Sequence, residues 1–234
     1  MNILAPLRDK LVLSAAGANF MTGLVGNVSI PTYDGSTVGW AGEVDAAADG
    51  AGTFGEVELS PKRLTAYVDI SKQFLIQDSV SAEALLRKDI VDALSNKLEA
   101  TILGNAEGDA TKPAGLFAGV TADTTSITFA DILKMEQTLE EKNVGGNIKF
   151  IASPAAKAVL RTTAVGGTKS DLRMLMDGNE IDGIPALVTN GMTSKGIILG
   201  NFNDLVIGQW GGIDLTVDPY TQAANGKIRL VVNA

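Results

Sequence analysis

SAEALLRKDIVDALSNKLEATIL, Ser81 to Leu103, decides how the rest of the chain is organised. Leu86, Ile90, Leu94, Leu98 and Ile102 recur every fourth residue, and Leu85, Ala93 and Leu103 widen the same apolar stripe. Arg87, Lys88, Asp92, Asn96 and Glu99 take the other faces. Ser81 suits a helix cap, Glu83 the positive helix start, and Gly104-Asn105 the stop. The spacing predicts one helix over 81–103, roughly 33 Å long at the α-helical rise, enough to serve as the spine of a domain.

The rest of the composition restricts function more than it suggests one. The 234 residues are 45% hydrophobic, ample for a core. Cysteine and histidine are both absent, which excludes disulfides, thiolate metal sites, serine or cysteine triads and histidine-ligated zinc. A carboxylate-dependent hydrolase using Asp177 and Asp182 stays open as an enzyme alternative, but the expectation is no enzyme, no cofactor and no metal. Lys and Arg number 19 against 27 acidic residues, a net charge of −8, so tight sequence-independent gripping of nucleic acid is not expected. No apolar run reaches membrane-spanning length, and MNILAPLRDKLVLSAAG reads as a short helix from Pro6 to Gly17 instead of a signal peptide.

Ahead of the spine, residues 26–71 read as two strands joined by an irregular tip. Val28–Pro31 and Thr37–Trp40 are extended in character, and in 56–71 Leu64, Ala66, Val68 and Ile70 alternate with Arg63, Thr65, Tyr67 and Asp69. The tip, AGEVDAAADGAGTFG, is too rich in Gly, Ala and Asp to pack a core. No Lys or Arg occurs between Lys10 and Lys62, whereas Asp34, Glu43, Asp45, Asp49, Glu56 and Glu58 fall there. Trp40 and Phe54 lie beside this acidic tip. Together they suggest a hairpin arm that lies on another subunit of complementary charge.

Beyond the spine, NAEGDATKPAGLFAG is a loop dense in turn formers. Thr128 with Asp131 resembles a capping box opening a helix whose apolar face is Phe129, Ile132, Met135 and Leu139. Strands are predicted at 148–152, 184–189, 196–199 and 204–209, a helix opens at Ser153-Pro154, and a turn at Gly211-Gly212 leads into Ile213, Leu215 and Val217. Ile228, Leu230 and Val232 face inward on the last strand. DGNEIDG, Asp177–Gly183, has the residue types of a calcium loop in the wrong register, with Asp182 where glycine is needed and Val188 at the twelfth place; a turn is expected. GGTKS, Gly166–Ser170, lacks the upstream glycine of a phosphate loop.

Several segments, in order, resemble the HK97-type major capsid proteins of tailed bacteriophages and prophages. They are SPKRLTAYVDISKQFLIQDS (60–79), GNAEGDATKPAGL (104–116), IASPAAKAVL, IDGIPALVTN, ILGNFNDLVIGQWGGIDLTVDPYT and the closing GKIRLVVNA. The resemblance implies an α+β fold divided into an N-terminal segment (1–25), an extended E-loop (26–70), a P domain (71–128) holding the spine, an A domain (129–209) and a return to the P domain (210–234). It further implies self-assembly into pentamers and hexamers that close an icosahedral shell around double-stranded DNA, with no sequence-specific DNA contact. Scaffold or protease and portal partners, assembly in the host cytoplasm and residence in the virion capsid are implied with it. Trp40, Glu43, Asp45, Asp49, Phe54, Arg87 and Lys88 are the candidate subunit interface. The arm carries no lysine, so the lysine–asparagine cross-link of some family members is not expected. The short ends of the chain suggest a processed or trimmed form. An encapsulin, a compartment of the same fold that encloses cargo protein, is the alternative.

Overall fold

Phe150 and Ile151 are neighbours in sequence and both fully buried, yet they belong to different apolar clusters. The alternation of a strand requires this: successive side chains leave opposite faces of a sheet. In the computed structural model, which describes residues 11–73, 79–121, 126–166, 173–193 and 195–234, their strand is the junction of two layers. Contact density divides the chain into two units, one formed by the chain up to Phe20 with Lys62–Ile207 and Gly212–Ala234, the other by Met21–Pro61 with Gly208–Gly211.

In the first unit a helix, α1 (Val12–Ala16), precedes strand β1 (Asn19–Leu24), whose residues after Phe20 belong to the second unit. The spine is α2 (Ser79–Ile102); it is followed by α3 (Phe129–Glu141), β5 (Ile148–Ala152) and α4 (Pro154–Leu160). Next come β6 (Met176–Asp177), β7 (Glu180–Ile181), β8 (Ile184–Val188) and β9 (Ile197–Asn201). After a 3-10 turn at Phe202–Asp204 the chain forms β10 (Val206–Trp210), β11 (Asp214–Asp218) and β12 (Lys227–Asn233).

Strands β6-β7-β8-β5-β9 make one sheet, in which β5 runs parallel to β8 and antiparallel to β9. Phe150 packs with Ile132 of α3 and Leu160 of α4 on one face, and Ile151 packs with Leu13 and Ala16 of α1 and Leu103 on the other. Both helix starts follow from their caps. Thr128 Oγ1 accepts the Asp131 N–H while the Asp131 carboxylate accepts the Thr128 N–H at 2.7 Å, the predicted capping box. Ser153 Oγ accepts the Ala156 N–H at 3.1 Å with Pro154 in the first turn. The DGNEIDG segment is the β6–β7 hairpin and its exit, a turn as expected, with Asp182 at φ 47°.

A second sheet holds β11, β12 and β4 (Thr65–Ser71). Ile90, Val91 and Leu94 of α2 pack with Val232 and with Leu64, Val68, Leu215 and Leu230 of this sheet. The predicted inward residues are therefore met at Leu215, Leu230 and Val232, but Val217 is half exposed near the edge of the sheet.

The helix departs from its predicted stripe. It already runs at Ser79, so Ser81 lies inside it instead of capping it. Leu85 is 65% exposed and Ala93 is exposed, while Ser95 and Glu99 are buried. The helix changes partners along its length: Ile90, Val91 and Leu94 face the second sheet, whereas Glu99 and Leu103 meet α1, so the buried face turns with the partner. Leu85, two and a half turns before Leu94, faces the opposite way. The side chains of Glu83 and Arg87 lie outside the described ones, as do residues 1–10, where the N-terminal helix was expected to open, and 167–170 of GGTKS.

The predicted strand 56–71 is two strands in different sheets. β3 (Phe54–Leu59) pairs with β2 (Val28–Tyr33), and β4 pairs with β12. The break falls at Ser60-Pro61, because proline offers no ladder donor and restricts the residue before it. Residues 37–40 are not a strand: they lie among Gly35, Gly39 and Gly42, with Thr37 N–H to Gly50 carbonyl, 2.9 Å, bridging the loop.

Candidate assembly surface

The second unit holds the end of β1, part of β10 and a two-stranded ribbon of β2 and β3. β2 and β3 pair in antiparallel register from Val28 opposite Leu59 to Tyr33 opposite Phe54. A two-stranded ribbon has no interior of its own, so its side chains remain in water unless another surface covers them. Polar cross-strand pairs decorate it: Asn27 Nδ2 donates to Glu58 at 2.6 Å and Ser29 Oγ to Glu56 at 2.8 Å. At the base, Trp210 Nε1 donates to the Gly26 carbonyl at 2.6 Å.

The ribbon's end is built around an aromatic pair. The Tyr33 and Phe54 rings stand 4.6 Å apart at 35°. Tyr33 shares a 2.6 Å hydrogen bond with Ser36 and accepts the Gly52 N–H at 3.0 Å; these bonds lower the phenol below its ordinary pKa, the Ser36 bond foremost. Gly52 must be glycine-sized, because a Cβ there would collide with the Gly35 carbonyl. Thr53 Oγ1 donates to Asp34 at 2.7 Å, and an Asp45 carboxylate oxygen accepts the Gly42 N–H at 3.2 Å. The tip is thus cross-braced although it has no regular ladder.

On this frame Trp40 is completely exposed, Val38 and Val44 nearly so, and Phe54 is 83% exposed. Glu43, Asp45 and Asp49 are exposed around them. Lys88 is exposed on α2. Tyr33, Val38, Val44 and Val57 join the surface without having been singled out in the sequence; the Gly, Asp and Glu residues around them are the signal that they have no core to enter.

Two further groups organise the first unit. Asp69 on β4 and Arg229 on β12 form a bidentate pair at 2.7 and 2.8 Å, and the guanidinium lies 4.2 Å over the Tyr67 ring. The Arg229 hydrogen bonds hold the Asp69 carboxyl below the usual carboxylate range. In the loop after the spine, Asp109 accepts the Thr111 hydroxyl at 2.6 Å and the Thr111 and Lys112 N–H groups, which lower it to about 2, the Thr111 hydroxyl foremost. Asp182, one of the two carboxylates considered for hydrolysis, is engaged by Arg173 at 3.3 Å. Among the described residues no helix is long and apolar enough to cross a membrane.

A long helix backed by an antiparallel sheet, a mixed sheet flanked by helices and a two-stranded ribbon compose the HK97-type capsid fold. Solved structures agree: the chain superposes with TM-score 0.72 at 18% identity on a subunit described as the capsid of an empty GTA particle, covering 94% of this chain and 82% of that one. It does so with TM-score 0.73 at 15% identity on a chain from Microbacterium phage Oxtober96, again covering 94% and 82%. The phage capsid family matches residues 1–233, and the chain belongs to that family. It is 28% identical over 233 residues to the major capsid protein of Halomonas phage phiHAP-1, covering 97% of this chain and 38% of that protein. It is 24% identical to the major capsid protein of Klebsiella oxytoca phage phiKO2, covering 95% and 57%. The chain therefore spans between about two fifths and three fifths of the curated relatives it matches.

Proposed function

We propose that this chain is the shell-forming subunit of a tailed-phage capsid, a structural protein whose activity is self-assembly into pentamers and hexamers enclosing double-stranded DNA. The observation that carries the proposal is the exposed ribbon: an arm that displays Trp40 and Phe54 to water in one chain is suited to burial on another. In this assignment the arm is the E-loop, and it ends at Pro61 because β4 pairs with β12. The spine and its sheet form the P domain, and residues 129–209 form the A domain. Glu43, Asp45 and Asp49 supply negative charge, and Lys88, with Arg87 beside it in sequence, supplies a positive counterpart on a neighbouring subunit. The net charge of −8 suits a container that does not grip its DNA. A scaffold or protease, a portal, assembly in the host cytoplasm and a final place in the virion belong to the same proposal.

Electron microscopy of purified particles, with analysis of their contents, tests it. Closed shells holding DNA are expected; shells holding a cargo protein and no DNA would establish the encapsulin alternative. Association is also expected to weaken as salt rises, because attraction between the acidic arm and Lys88 is screened within about 8–10 Å at physiological ionic strength. Sedimentation velocity across a salt series reads this directly, and oligomers indifferent to salt would remove the charge-pairing component.

A further inference from the structure

Glu99 is a charged residue buried in the middle of three segments. Its side chain is 6% exposed. One carboxylate oxygen accepts the Val12 N–H at 3.1 Å, and the other accepts the Thr189 hydroxyl. Thr189 Oγ1 in turn accepts the Gly191 N–H at 3.0 Å. The fit leaves no slack, since a Cβ on Gly191 would stand 2.9 Å from Glu99 Cγ.

The Val12 contact supplies something α1 lacks. Its N-cap residue is Leu11, which has no side-chain acceptor for the first amides. Glu99, far away in sequence, does that work from the spine. The carboxyl therefore joins the start of α1, the last turns of α2 and the 189–191 turn at one point, and Leu13, Leu103 and Met192 of the same segments share one apolar cluster.

Among the described residues no cation lies in the segments that bond to Glu99; Lys149 of β5 reaches α1, but its amine donates to the Ala15 carbonyl at 2.8 Å, at the other end of that helix. VLSAA of α1 has no ionisable residue, and neither do Thr189 to Thr193. On α2 the neighbours one turn away, Ser95, Asn96, Ile102 and Leu103, are uncharged. Lys97 and Lys195, the nearest charged residues along these segments, are exposed, and Lys10 lies outside the described residues. An ionised carboxylate here keeps hydrogen bonds but loses its hydration, and none of the ion pairs among the described residues includes it, a costly arrangement.

We propose that Glu99 is a proton-controlled latch: neutral, it holds α1 and the 189–191 turn against the end of the spine, and ionised, it lets that junction open to water. Burial pushes the Glu99 carboxyl above its ordinary 4.5, and the Val12 bond opposes this only in part. The sign follows by linkage. A raised native pKa gives a contribution that is complete below the unfolded value and is lost as pH rises through the native one. The junction is therefore tightest in mild acid.

Hydrogen exchange of the full chain between pH 4.5 and 8 tests the latch, comparing the wild type with Glu99→Gln, which fixes the neutral state. The amides of Val12 and Gly191 are followed against Phe150 and Ile151, which correct for intrinsic base catalysis and for global opening. Above the carboxyl's native pKa, the wild-type junction should lose protection relative to the variant by up to about tenfold per pH unit, the limit for one linked proton. Parallel curves would overturn the latch. Should Glu99→Gln fail to fold, the Glu99 carboxyl can be titrated in the wild type by carbon-13 NMR: a midpoint above 4.5 that moves with the Val12 and Gly191 amide shifts supports the latch, and a midpoint at or below 4.5 overturns it.

Discussion

Removing residues 34–53 and joining Tyr33 to Phe54 through Asn-Gly is expected to leave a folded monomer that forms no closed shells. The monomer should survive because the excised residues contribute nothing to the three apolar clusters, and Trp40, Val38 and Val44 are in water already. An Asn-Gly turn suits the antiparallel register at which β2 and β3 end. Assembly should fail because the removed surface holds the large apolar groups that a neighbour would cover. Each such side chain contributes about 1.5–3 kcal/mol when fully buried, and a ring repeats the loss at every interface. Circular dichroism and a melting curve check the fold, and electron microscopy with sedimentation checks assembly. Trp40→Asp should give a milder form of the same defect. Closed shells from the excised chain at wild-type yield would show that the arm's tip is dispensable and would remove the observation on which the proposed function rests.

Phe150→Ala is expected to cost about 3–5 kcal/mol of stability, the range for deleting a large buried aromatic, and to be the most damaging of simple core truncations. Phe150 is fully buried on β5, between β8 and β9, and belongs to the cluster that gathers α3, α4 and residues of β6, β7 and β8. No nearby loop can collapse into the space, since Ile132, Leu160 and Ile181 are each held by their own elements. Urea unfolding reads the change as a lower midpoint, with Phe150→Leu intermediate. A loss below about 1 kcal/mol would mean the cluster repacks freely and is not the keystone of that layer.

These two outcomes concern parts of the chain that were unequally legible. The Phe150 layer was plain in the sequence: IKFIA is a short strand, apolar except for Lys149, and Thr128 and Ser153 mark the helices on either side. The ribbon was half legible. Its acidic, lysine-free composition marked an exposed arm, but 56–71 read as one strand, because periodicity cannot tell which partner a strand will take. The spine was legible as a helix and misleading as a surface. Leu85 matched the apolar pattern and is exposed, whereas Glu99 matched the polar pattern and is buried. Of the candidate interface, Trp40, Glu43, Asp45, Asp49, Phe54 and Lys88 are all exposed in the single chain, the condition for the contact proposed for them.

What the sequence determined by itself was local: where helices begin, where proline and glycine stop strands, and which stretch carries one sign of charge. Those properties depend on a few neighbouring residues, so one strand of letters suffices to state them. The tertiary structure decided everything that depends on meeting across the chain. It sent the two halves of 56–71 to different sheets, paired Asp69 with Arg229, and brought Val12 and Thr189 to Glu99. A carboxylate in SNKLEATIL looks solvated because exposure is the ordinary state of glutamate; its burial depends on two segments nearly ninety residues away on either side, and no local pattern carries that information.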